Sequence, residues 1–163
     1  MEIRWASRTR LMPLQVDLVS LEAENRRLGQ QGESLIVQRE QEQLRDAGRP
    51  DLAARVRHVS LLEGDGHGYD IESWSPSGQP RFIEVKTTRA GIDWPMVVTR
   101  NEVAVSRDLA ENFVLSRVFN LSAPRVGLYE LSGAIEETCS LHPETWLALP
   151  KSDRRSLPRS TLA

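Results

Sequence analysis

Phe82-Ile83-Glu84-Val85-Lys86-Thr87-Thr88 decides how this chain is read. Apolar and β-branched residues dominate the stretch, which predicts a buried strand from Arg81 to Thr88. Side chains alternate along a strand, so Glu84 and Lys86 share one face and Val85 points to the other. Only two of the 21 basic residues are lysines, Lys86 and Lys151, and Lys151 lies near the C-terminus. A chain so rich in arginine keeps a lysine here where a compact ammonium with a tunable pKa is wanted, which a guanidinium does not supply.

Working outward, Tyr69 to Trp74 reads as a strand, and Pro76-Ser77-Gly78-Gln79-Pro80 as the hairpin turn that joins it to the Glu84 strand. Asp70 therefore lies on the neighbouring strand. Further upstream, Val56 to Leu62 is a candidate strand and Gly64-Asp65-Gly66-His67-Gly68 a tight loop. Asp17 to Leu28 has helical spacing and Gly29 stops it. A second helix is expected from Gly32 to about Ala47, ended by Gly48 and Pro50, followed by a short helical turn over Asp51 to Arg55. Glu33 and Glu40 fall on the apolar stripe of that second helix with Ile36, Val37 and Leu44. An acid there either snorkels to the edge or points into a polar site beneath the helix.

Downstream, Ala90 to Trp94 reads as a loop. Thr99 reads as the N-cap of a helix from Arg100 to about Leu109, with Glu102 at N3 completing a capping box. Asn112 to Asn120 and Val126 to Ser132 are two more strands. The order αα-βββ-α-ββ predicts a mixed α/β layer domain. The divisions expected are an N-terminal helical extension over 1–28, the domain over 29–149, and a polar, basic, disordered tail over 150–163.

At 163 residues the chain is long enough for one domain with a real core. A net charge of −2 leaves nucleic acid open as a partner, because a local basic patch binds phosphates under a near-neutral total. The single cysteine, Cys139, excludes an internal disulfide and points to a reducing cytoplasm. No apolar run approaches the roughly 20 residues that span a bilayer, so no membrane partner is expected. Met1-Glu2-Ile3-Arg4 does not open a secretory signal.

An acid on one strand followed by Glu-x-Lys on the next is the layout of a metal-dependent phosphodiesterase site. Mg²⁺ prefers a few carboxylate oxygens and keeps several waters, and Mn²⁺ substitutes for it. Asp70 and Glu84 are the candidate metal ligands, with the Val85 carbonyl as a further one. Lys86 reaches the attacking water or the scissile phosphate. Glu33 is expected at the rim of the site. Thr88 continues the same face and can hold a phosphate oxygen. On its own, Glu-x-Lys is more often a cross-strand ion pair on a solvated face. Its place between Ile83 and Val85, the paired acid one hairpin upstream and the lone lysine tip the reading towards a metal site.

The set Asp70…Glu84-Val85-Lys86, with Glu33 on a preceding helix, resembles the PD-(D/E)xK nuclease superfamily. The Gly32-Glu33 helix start is similar to that of archaeal Holliday junction resolvases and type IV restriction endonucleases. More closely, four runs resemble the domain named after the C-terminal region of the plant protein NO VEIN. They are Gly64-Asp65-Gly66-x-Gly68-Tyr69-Asp70-Ile71, Ile83-Glu84-Val85-Lys86-Thr87-Thr88, Thr99-Arg100-Asn101-Glu102 and Arg117-Val118-Phe119, and the resemblance covers roughly residues 29–149. It implies a restriction endonuclease-like mixed β-sheet core flanked by helices. It also implies a magnesium-dependent endonuclease acting on DNA in restriction, phage defence or repair. Helicases or restriction-system proteins are the partners it suggests. A nuclease fold used only to bind nucleic acid or such a partner is the alternative. Tyr69 stands where the superfamily's proline would be, a position that varies widely. A homodimer fits the need to cut both strands of a duplex.

Arg89, Arg100 and Arg117 flank the motif and can contact phosphates, or be solvated or ion-paired instead. Trp94 can stack on a base or plug the core edge. Asp65 is expected to make an Asx-type turn rather than bind metal. His67 is a weak general-base candidate, and no Cys/His spacing supports zinc.

Overall fold

The computed structural model describes residues 18–142, with side chains described from Glu24 onward except that of Asp65. The expected disordered tail and most of the N-terminal extension lie outside that range. The elements are α1 (Leu18–Asp46), α2 (Pro50–Ala53), β1 (Arg57–His58), α3 (Val59–Glu63), β2 (Ile71–Trp74), β3 (Pro80–Thr87), α4 (Arg100–Leu109), β4 (Phe113–Phe119), β5 (Gly127–Ser132) and α5 (Ile135–Thr138). The strands form one five-stranded sheet in sequential order. All neighbours are antiparallel except β3 and β4, which run parallel and are joined by the crossover through α4. The fold is mixed α/β.

Two expectations are corrected. The helices read over 17–28 and from Gly32 are one helix, and Gly29 and Gly32 lie inside it. Glycine in a helix interior costs about 1 kcal/mol relative to alanine, but packing decides here, because Gly32 lies directly against Thr87 of β3. The expected strand over Val56 to Leu62 pairs only at Arg57 and His58. The backbone N–H groups of Val59 and Ser60 both donate to the Asp70 carbonyl, and the chain turns there into α3. The capping box of α4 forms as the sequence predicts, with Thr99 Oγ1 accepting from the Glu102 N–H.

The sheet carries helices on both faces. On one face α1 lays Ile36 on Ile71, Ile83, Val85, Val114 and Val118. On the other, Phe113, Leu115 and Ile135 pack with Tyr69, Val103 and Leu109. Ile71, Ile83, Phe113 and Leu115 are fully buried, and each such side chain contributes about 1.5–3 kcal/mol. Strand alternation does the sorting: Ile83 and Val85 go under α1, and Glu84 and Lys86 go to the α4 face.

Candidate active site

The site is built where β2 and β3 part. Their ladder runs from Trp74 opposite Pro80 to Ile71 opposite Ile83. One residue further, the Asp70 N–H still donates to the Ile83 carbonyl at 2.9 Å. Beyond that the Asp70 side chain takes over from the backbone, and its Oδ2 accepts from the Val85 N–H at 2.8 Å. On its other edge β3 stays paired with β4 as far as Thr87 opposite Val118. The edge of β3 at Val85 is therefore open to a cleft. A residue's N–H and C=O point to the same edge of an extended strand, so the Val85 carbonyl faces that opening too.

The cleft has a volume of about 910 Å³, and Glu33, Asp70, Glu84, Val85, Lys86 and Glu102 are among its lining residues. Lys86 Nζ lies 2.7 Å from Glu84 Oε1 and 2.7 Å from Glu102 Oε2. Glu33 reaches the cleft from α1, where its Oε2 is 2.7 Å from both His58 Nε2 and Ser60 Oγ. Gly68, in left-handed backbone with φ of 76°, lets Val105 of α4 approach the glycine-rich loop, and Asn101 Nδ2 donates to the Gly66 carbonyl. That loop and α4 form one wall.

Four carboxylates thus line the cleft together with the Lys86 ammonium and Arg26. Burial pushes the Asp70 carboxyl up to about 7, with Glu33 and Glu102 adding to the rise, although the Val85 N–H and Lys86 oppose it. Burial and then the nearby Asp70 charge push Glu84 up to about 8, against the pull of Lys86. Burial alone would lower Lys86. Attraction to Glu84 and Glu102 more than offsets it, and the lysine pKa stands above its ordinary value. Burial and the crowding of acids thus leave the Asp70 and Glu84 carboxyls harder to ionise than usual.

Among the described residues no three His, Cys, Asp or Glu side chains form a ready-made metal cage. Asp70 is turned to the Val85 N–H, and Glu84 and Glu102 to Lys86. Mg²⁺ asks for less, one or two carboxylates beside its own waters. The all-oxygen set of half-buried Asp70, buried Glu84 and the Val85 carbonyl fits such a hard cation.

The remaining expected residues scatter. Thr88 is buried and its hydroxyl accepts from the Ala90 N–H at 3.1 Å. Arg89 is exposed and paired with Glu24, and Arg100 is exposed at the start of α4. Arg117 corrects the expectation of a phosphate contact. It is 2 % exposed and donates to the Trp94 carbonyl at 3.0 Å, which pins the loop between β3 and α4. Trp94 itself is exposed. His67 pairs with Glu63 at 3.1 Å rather than with an acid of the cleft. Glu40 is buried under the opposite face, bonded to Ser73 and beside Arg81. The Asp65 side chain lies outside the described part.

Sequence reasoning missed Glu102, His58 and Ser60. Glu102 carried a signal, since a lone lysine among acids needs a second counter-ion, but its capping role accounted for it locally. His58 and Ser60 sat in the stretch read as strand, where nothing tied them to Glu33.

The motif runs gathered around this cleft lie inside the match to a family model, Protein NO VEIN, C-terminal, which spans residues 32–129. The chain belongs to this family. The matched span begins at Gly32, just before Glu33, and encloses Asp70, Glu84, Lys86 and Glu102. No curated protein and no solved structure matches the chain. Among the described residues no helix is long and apolar enough to cross a membrane.

Proposed function

We propose that the chain is a magnesium-dependent endonuclease of the PD-(D/E)xK kind, hydrolysing phosphodiester bonds of DNA in restriction, defence or repair. The observation that carries this reading is the opened edge of β3. The half-buried carboxylate of Asp70 and the buried one of Glu84 line the cleft there beside the only lysine of the described residues. Held by Asp70, Glu84 and the Val85 carbonyl, Mg²⁺ would bind a phosphate oxygen and acidify a water. The chain's own groups do the rest. The Lys86 ammonium sets positive charge where negative charge develops on the phosphate. Glu33, fixed by His58 and Ser60, offers a carboxylate at the rim to accept the proton of an attacking water. Helix α4 and the glycine-rich loop limit solvent on the far side. Exposed Arg100 is available to neighbouring phosphates, and Arg89 on exchange of its exposed partner Glu24.

The test is a cleavage assay on plasmid, linear, branched and single-stranded DNA, and on RNA, with Mg²⁺ or Mn²⁺. Metal-dependent scission supports the reading. Binding without scission under every metal supports the second reading, a silent nuclease-fold module for nucleic acid or a helicase-type partner. What favours that reading is exposed apolar surface: Leu61 and Leu62 on α3, and Ile92, Trp94 and Val97 on the loop before α4.

A further inference from the structure

We infer that Glu102 is the positioning residue for Lys86, holding its ammonium in the cleft when Glu84 turns to a cation. The inference rests on the proposed function for its consequence, but its geometry stands alone. Lys86 Nζ has two carboxylate partners at equal distance, Glu84 Oε1 and Glu102 Oε2, each 2.7 Å away. All three side chains are largely buried, at 17 %, 7 % and 12 % exposure. Glu84 cannot give its charge fully to a divalent ion and to Lys86 at once. With no other partner, the long flexible side chain of Lys86 would leave the cleft for water.

Glu102 is suited to hold it. The oxygen that meets Lys86 also accepts from the Thr99 N–H at 3.1 Å, and the Glu102 N–H donates to Thr99 Oγ1 at 3.1 Å. The capping box thus fixes the carboxylate before Lys86 arrives, and the start of α4 becomes the mount of the ammonium. Glu102 does not have to be released for metal binding, because Asp70, Glu84 and the Val85 carbonyl already fit the cation.

A merely structural role as a cap is separable. Glutamine serves at N3 of a capping box as glutamate does, so Glu102→Gln keeps the bond to Thr99 and removes only the charge that meets Lys86. The chain's two lysines make the readout clean. Reductive methylation followed by peptide mass spectrometry gives the reactivity of Lys86 relative to Lys151 in the same sample. The expected results are protection of Lys86 in wild type, in Glu84→Gln and in metal-free Glu102→Gln. Protection falls several-fold in Glu84→Gln/Glu102→Gln, where both carboxylates that pair with the amine are gone. If Lys86 is as reactive in Glu84→Gln as in the double variant, or stays protected in the double variant while both fold, Glu102 does not hold it and the inference fails. In the cleavage assay Glu102→Gln should lower turnover by up to about a hundredfold, the cost of a misplaced catalytic group, at unchanged DNA affinity, with Glu102→Asp recovering part. Failure of wild type to cleave would count against the nuclease reading and leave the lysine-reactivity result to decide this one.

Discussion

Gly32 of α1 lies on Thr87 of β3 so closely that a Cβ at position 32 would come within 1.8 Å of the Thr87 hydroxyl oxygen. The contact sets the height of α1 over the sheet, and the next residue along α1 is Glu33. Gly32→Ala should lift the helix, destabilise the fold by about 1–3 kcal/mol as overpacking does, and move Glu33 off the cleft. Urea denaturation measures the loss. Adding Thr87→Ala removes two of the three clashing atoms and should restore part of it. Wild-type stability for Gly32→Ala would contradict this contact.

Asp70 and Glu84 hold their protons more tightly folded than unfolded, with folded values near 7 and 8 against ordinary values of 3.8 and 4.5. The folded state therefore binds more protons between about pH 4 and pH 8, and stability falls as pH rises through that window. Below it the penalty is absent, and above it complete. Asp70→Asn keeps an acceptor for the Val85 N–H and removes the half-buried charge. In chelator it should melt several degrees above wild type at about pH 8.5, with the gap closing towards pH 4. A variant no more stable than wild type at the alkaline end would show that the cleft tolerates both charges.

Divalent cations should relieve the same crowding. Binding only to the folded state stabilises it by about 2.7 kcal/mol at a hundredfold excess over Kd, so millimolar Mg²⁺ or Mn²⁺ should raise the melting temperature of wild type. Glu84→Gln should lose this response, and Glu40→Gln should keep it. A melting temperature indifferent to either metal would speak for the binding-module reading.

Glu40 tests the opposite face. Its buried carboxylate accepts from Ser73 Oγ at 2.7 Å and lies 3.4 Å from Arg81 Nε. Glu40→Ala leaves the buried Ser73 hydroxyl without its acceptor, while Arg81 keeps Glu130 at 3.1 Å, and should cost about 1–3 kcal/mol. The loss should appear in denaturant titration, while turnover of the folded fraction stays near wild type. A selective loss of turnover would return Glu40 to the site.

The strand around Glu84, the hairpin before it and the capping box at Thr99 were legible because their signals are local: alternation, turn residues and an N3 acid. The break expected at Gly29 was not there, because glycine's local penalty is outweighed by a helix–sheet contact that only the fold creates. The strand expected over Val56 to Leu62 ended early because one carbonyl, that of Asp70, captures two successive N–H groups. In the site, Asp70, Glu84 and Lys86 follow from strand alternation across one hairpin. Glu102, His58 and Ser60 do not, since Glu102 meets Lys86 across the loop before α4, and His58 and Ser60 meet Glu33 across the rest of α1 and α2. Arg117 was misjudged for a related reason: a strand residue's face is legible, but the Trp94 carbonyl waiting above it is not.

Lys86→Ala is the most direct test of the account. One ammonium among several phosphate contacts adds little affinity, whereas facing developing charge in the transition state it is worth several kcal/mol. Measured side by side on DNA with Mg²⁺ or Mn²⁺, wild type should cleave, and Lys86→Ala should bind DNA nearly as well and not cleave. Lys86→Arg should be nearly as damaged, since a planar guanidinium does not fit an ammonium's place between Glu84 and Glu102. Equal cleavage by wild type and Lys86→Ala would contradict the role given to Lys86, and cleavage by neither under any metal with equal binding by both would contradict the nuclease assignment.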